Sequence, residues 1–202
     1  GTTSANVSLY VNQLSPGCDA VFVVDGSGSY YPGFTSTLST NAPALFDKID
    51  QFSMDASTGT PSSRFAMLSF GASVMLDVSF PSSPNAANRN DVQTKLADPN
   101  DKGWIEPKIE AIAKAAEGMQ GAWRERVCRL IMLFSDERDS GRGQAAGHCS
   151  NPAYWNPANT STYFINLLKQ KEIGLIVFDA GAGAADDDDL PTATSETAIY
   201  GG

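Results

Sequence analysis

The chain has 202 residues, 42% of them hydrophobic and 18% charged, which suits one domain with a sizeable core and is short for two. A net charge of -9, from 14 Lys and Arg against 23 Asp and Glu, argues against a nucleic-acid backbone or an anionic membrane surface as partner and favours cations or basic protein surfaces. No apolar run approaches the roughly 20 residues that span a bilayer, so no direct membrane contact is expected. Nothing N-terminal reads as a signal peptide, so any such segment is expected to have been removed.

Apolar strands alternate with helical patterns. Ala20 to Val24 is the first strand, after an N-terminal extension over residues 1–18. Leu38, Ala42, Leu45, Ile49 and Phe52 then recur every three or four positions, the period of an amphipathic helix. Phe65 to Phe70 is a second strand, broken by Gly71. Val74, Leu76, Val78 and Phe80 alternate with other residues, which predicts a half-exposed antiparallel edge strand joined by a hairpin. A short helix is expected around Val92 and Leu96, and another carries Ile105, Ile109, Ile112 and Ala116 on one face. Leu130 to Phe134 reads as a central parallel strand and Tyr163 to Lys169 as a helix. Ile173 to Phe178 is a further buried strand, and Ala198 to Tyr200 a short closing one. Such alternation over residues 1–202 predicts a single α/β domain: a doubly wound, mostly parallel sheet with one antiparallel edge strand and helices on both faces. Asp186 to Asp189 reads as a solvated helix start.

Asp25-Gly26-Ser27-Gly28-Ser29 places a carboxylate and two hydroxyls at alternate positions straight after the first strand. In an open parallel sheet, ligands bind outside the carboxyl ends of the strands, where strand order reverses. Asp136 follows the other central strand, in Phe134-Ser135-Asp136-Glu137. Converging there, Asp25, Ser27, Ser29 and Asp136 make an oxygen-only site of the kind a hard divalent cation prefers. Magnesium suits it, retaining waters and leaving a coordination position for a partner; Ca2+ and Mn2+ are alternatives. The competing reading of Asp25-x-Ser27 is an Asx-turn that caps the following helix.

Asp25-x-Ser27-x-Ser29 resembles the metal-ion-dependent adhesion site of von Willebrand factor A domains. "GAWRERVCRLIMLFSDE", Gly121 to Glu137, and "KQKEIGLIVFDAG", Lys169 to Gly181, resemble the integrin β-subunit I-like domain within that superfamily. The resemblance implies a further metal ligand before the third helix, which falls on Glu106. It also implies a second metal site at Asp98, Asn100 and Asp101. A third metal site would need acids after Ser29, where this chain has Tyr30-Tyr31-Pro32-Gly33. The resemblance further implies a Cys128–Cys149 bridge, with Cys18 free or paired outside this chain. It implies a final helix after Ala198 to Tyr200, so the sequence is expected to be part of a longer chain.

On this reading the domain is an adhesion module of a cell-surface or secreted protein, taking an Asp or Glu of a protein ligand through Mg2+. Asn6 and Asn159 head N-x-Ser/Thr sequons compatible with secretion. No catalysis is expected. A Ser–His–Asp triad would need His148, the only histidine, which reads as a loop residue, and no Gly-x-Ser-x-Gly elbow is present. A magnesium-dependent hydrolase would want a second carboxylate beside Asp25. An intracellular scaffold of the same fold is the alternative from another class. Trp104 and Trp123 read as anchoring residues, and Glu137 and Asp139 as solvated acids.

Overall fold

Residues 18–25 are all buried, and they alternate between two cores. Val21 and Val23 face one, Ala20, Phe22 and Val24 the other, as the two-residue period of a strand requires. A strand buried on both faces belongs in the middle of a sheet covered by helices on both sides.

The computed structural model describes residues 17–27, 33–53, 62–103, 107–135, 160–179 and 197–200. Its elements run β1 Cys18–Asp25, α1 Gly33–Ser53, β2 Arg64–Phe70, β3 Val74–Val78, α2 Ala86–Ala97 and α3 Lys108–Glu117. They continue with β4 Cys128–Ser135, α4 Thr160–Lys171, β5 Gly174–Asp179 and β6 Thr197–Tyr200. The sheet order is β3-β2-β1-β4-β5-β6. The pairs β1–β2, β1–β4 and β4–β5 are parallel, and β2–β3 and β5–β6 are antiparallel. The expected hairpin edge at β3 is therefore present, and the closing strand is a second antiparallel edge.

Helices α1 and α2 cover one face through Leu38, Ala42, Phe46, Val92 and Leu96. Helix α3 covers the other through Ala111, Ile112, Ala115 and Ala116, with Leu168 of α4 beside it. In α1 the core residue is Phe46, where the periodicity had pointed to Leu45, which is only partly buried. Phe46 meets the rings of Phe22 at 5.5 Å and Phe65 at 4.6 Å, so the larger side chain takes the facing position.

At the amino ends of the parallel strands lies a buried ionic cluster. Arg64 donates to the Asp19 carboxylate through Nε at 2.9 Å and Nη2 at 2.6 Å, and Arg124 through its backbone N–H and Nε, both at 2.8 Å. The guanidinium groups also reach the carbonyls of Pro81, Ala122 and Ser62. Trp123 packs on Phe80, with 5.4 Å between ring centroids, and donates Nε1–H to the Ala115 carbonyl at 3.1 Å. The Trp-Arg pair thus anchors the segment that leads into β4, as expected for Trp123.

The Cys128–Cys149 pairing is corrected. Cys18 is bonded to Cys128, with their Cα atoms 4.3 Å apart. Cys18 is the first residue of β1, and the parallel register sets it directly opposite Cys128. The strand thus begins two residues before Ala20 and takes in Cys18, the last residue of the expected N-terminal extension. Cys149 and the two sequons lie outside the described residues.

Candidate functional site

Strand order reverses between β1 and β4: β1 leads on to β2 and β3 on one side, β4 to β5 and β6 on the other. The carboxyl ends of β1 and β4 therefore flank the crevice in which open α/β sheets bind ligands. Asp25 ends β1 and is fully buried. Its Oδ1 accepts the Ser27 N–H at 2.8 Å and its Oδ2 accepts the hydroxyl of Ser135, the last residue of β4, at 2.8 Å. The first contact is the Asx-turn of the competing reading. It orients the carboxylate and leaves the other oxygen to tie the two central strands together.

Burial pushes the Asp25 carboxyl above its ordinary range, against the hydrogen bonds from Ser27 and Ser135 and the positive charge of Lys108. Ser27 is buried as well. A carboxylate offers about four acceptor positions, and hydroxyls are good oxygen donors to a hard cation. The donor set is therefore chemically suited to Mg2+. Ser29, Glu106 and Asp136 lie outside the described residues; Asp136 follows Ser135 directly in the chain.

The approach to α3 is seated tightly against this crevice. A Cβ on Gly26 would run into the Asp101 carbonyl oxygen, and one on Gly103 into the backbone of Ala72. Only glycine permits such an approach. Asp101, 5% exposed, accepts the Ser73 N–H at 2.7 Å and the Ser73 hydroxyl at 3.1 Å, while its own N–H donates to the Ser69 hydroxyl at 3.0 Å.

The residues expected to form a second metal site have other partners. Asp98 is exposed and pairs with Lys102 at 2.5 Å. The side-chain oxygen of Asn100 accepts from Lys95 at 2.6 Å, and its backbone N–H donates to Asp77 at 2.8 Å. Asp101 clamps the β2–β3 turn. The three side chains brace the loop. Among the described residues, no group of three or more His, Cys, Asp and Glu side chains is placed to hold a metal ion.

Two neighbours of Asp25 escaped the sequence reading. Ser135 stands beside the predicted Asp136, and its position at the strand end was the available signal. Lys108 opens α3, where the helix dipole disfavours a cation, and that mismatch was the clue.

The model of the von Willebrand factor type A domain family matches residues 19–200. Among solved structures, the von Willebrand factor domain of the type V pili tip protein Mfa5 from Porphyromonas gingivalis is 19% identical. That match has a TM-score of 0.45 and covers 62% of this chain and 39% of that one. A structure of three N-terminal domains of the same protein is also 19% identical, with a TM-score of 0.44, covering 60% and 20% of the two chains. The conserved hypothetical protein BatB from Bacteroides thetaiotaomicron is 14% identical, with a TM-score of 0.51, covering 81% and 66%. The chain thus spans well under half the length of the Mfa5 chains. No curated protein matches the sequence.

Proposed function

Because the chain belongs to the von Willebrand factor type A domain family, we propose that it is a cation-dependent adhesion module of a cell-surface or secreted protein. Its crevice takes an acidic side chain of a protein partner. The observation that carries this reading is the buried oxygen set of Asp25, Ser27 and Ser135 at the switch point of the sheet. Asp25 and Ser27, with Ser29, Glu106 and Asp136, are the proposed ligands, directly or through water. A bound Mg2+ would supply a Lewis-acidic position whose free site a carboxylate completes.

Asp25 supplies negative charge held by the Asx-turn, and Ser135 fixes its second oxygen. Burial excludes competing water and strengthens electrostatic interactions in the crevice. No residue is assigned a catalytic role. The disulfide favours an extracellular binding module over an intracellular scaffold. Resemblance to the integrin β I-like domain supports an acidic ligand in particular.

Titration calorimetry with Mg2+ tests the reading. The wild type should bind a cation, and Asp25→Ala should not, while its circular dichroism spectrum in chelator is retained. Binding of an acidic protein partner should be abolished by chelator and by the same substitution. A wild-type protein that binds neither Mg2+, Mn2+ nor Ca2+ overturns the proposal.

A further inference from the structure

Asp101 is buried, and its carboxylate accepts from the turn that joins β2 to β3: the Ala72 N–H at 3.3 Å, the Ser73 N–H at 2.7 Å and the Ser73 hydroxyl at 3.1 Å. Its own N–H donates to the Ser69 hydroxyl of β2 at 3.0 Å, and the Asn100 N–H donates to Asp77 of β3 at 2.8 Å. The segment between α2 and α3 is therefore fastened to both strands of the hairpin. Its other side meets the crevice. The Asp101 carbonyl oxygen occupies the space a β-carbon on Gly26 would need, and a β-carbon on Gly71 would come to 2.6 Å from the Gly103 nitrogen. Backbone thus lies directly on backbone across the ends of β1 and β2. Gly26 also donates its N–H to the carbonyl of Phe70, the last residue of β2, at 2.8 Å. Gly26 stands between Asp25 and Ser27, whose bond closes the Asx-turn. Close packing of this kind passes a displacement on rather than absorbing it.

We propose that Asp101 is a positioning residue of the crevice: its carboxylate grips the β2–β3 turn while its carbonyl seats Gly26, and together they fix the direction of the Asp25 carboxylate. The inference rests on the reading of the crevice as a cation site. It gives Asp101 a part in that site other than the ligand role expected from the sequence. The acid does not reach the cation; it holds the turn that does. The hairpin at the edge of the sheet and the crevice at its centre then behave as one unit.

The test is amide hydrogen exchange of Asp101→Ala in chelator, read residue by residue by NMR. The Ser27 N–H, held by Asp25, should exchange about tenfold faster than in wild type, the effect of releasing roughly one hydrogen bond. The Arg124 N–H is held by the Asp19 carboxylate in the same way at the opposite end of the sheet, and it should not change. Asp101→Asn keeps an oxygen that accepts both Ser73 bonds, so it should restore Ser27 to within about threefold of wild type. If the Ala variant does not fold, Ser69→Ala, which releases the Asp101 N–H, should accelerate Ser27 about threefold. Equal acceleration of both amides, or none at Ser27, overturns the positioning role. An Asn variant as fast as the Ala variant overturns the grip on Ser73 as its cause. In calorimetry, Asp101→Ala should bind Mg2+ about tenfold more weakly, the lower end of what losing a group that orients a metal ligand costs. Unchanged affinity beside a loosened Ser27 overturns the link to binding. A wild type that binds no divalent cation overturns the reading of the crevice, while exchange in chelator still decides whether Asp101 holds the turn.

Discussion

Asp19 and Asp25 lie on one strand, both fully buried, yet their carboxyls are pushed in opposite directions. Burial works to raise both. At Asp19 the side-chain hydrogen bond from Arg64, the Arg124 N–H and the two guanidinium charges outweigh it, so the group is held below its ordinary 3.8. At Asp25 hydroxyls, one N–H and a more weakly acting lysine do not suffice, and burial prevails. The first carboxylate is satisfied and braces the sheet. The second keeps a demand for positive charge, as expected of a binding site. Asp19→Asn should cost about 3–5 kcal/mol by leaving two arginines without their counter-charge. A carboxyl lowered on folding contributes stability above its unfolded value, and loses it as pH falls through the folded one. Wild-type stability should therefore drop steeply below pH 3.8, and Asp19→Asn should flatten that limb in chemical denaturation at stepped pH. Gly26→Ala should weaken Mg2+ binding in calorimetry, because the new methyl meets the Asp101 carbonyl and displaces the turn that aims Asp25. The alternating Asp25-x-Ser27 was legible because it is local. Asp19, Arg64 and Arg124 were not, since their partners are 45 and 105 residues away in sequence.

Helix α1 contains Pro43 in its interior, which removes one N–H and leaves the carbonyl four residues back, Ser39, without its helical donor. The structure supplies a substitute from α2. Gln93 Nε2–H donates to that carbonyl at 3.1 Å, and the Ser39 hydroxyl returns a bond to the Gln93 carbonyl at 2.9 Å. Asn88, on the same helix, repeats the device at the sheet: its amide accepts the Phe65 N–H at 2.9 Å and donates to the Phe65 carbonyl at 2.8 Å. The paired register of β3 with β2 runs only from Met67 to Phe70, so Phe65 lies beyond the reach of the ladder. Gln93→Ala should cost about 0.5–1.5 kcal/mol in urea unfolding, and less in a Pro43→Ala background, where the restored N–H serves the Ser39 carbonyl. Equal costs in both backgrounds would mean that the repair is not what Gln93 does. Hydrophobic period located nearly every element, because burial on one face is a property of consecutive residues. Phe46 was missed since Leu45 fits the same period, and only the facing Phe22 and Phe65 rings distinguish them.

Across the sheet, the two ends of the parallel strands are specialised. The carboxyl ends of β1 and β4 carry Asp25 and Ser135, and the amino ends carry the Cys18–Cys128 bridge and the Asp19 cluster. That polarity predicts that stability and cation binding can be separated by substitution. The bridge was not legible because it depends on the β1–β4 register, a pairing of strands 110 residues apart. Linking residues so far apart constrains the unfolded chain strongly, and a bridge of that span contributes about 2–5 kcal/mol. Replacing both Cys18 and Cys128 with Ser should lower the urea midpoint accordingly. Mg2+ affinity should stay within about twofold of wild type, since additivity holds for sites this well separated. Peptide mapping of the oxidised protein should recover Cys18 joined to Cys128 and Cys149 outside that link. A Cys128–Cys149 peptide would refute the register argument. A large loss of cation affinity in the double variant, with its fold intact, would show that strain at the amino ends reaches the crevice through β1, and the two ends would then have to be treated as one unit.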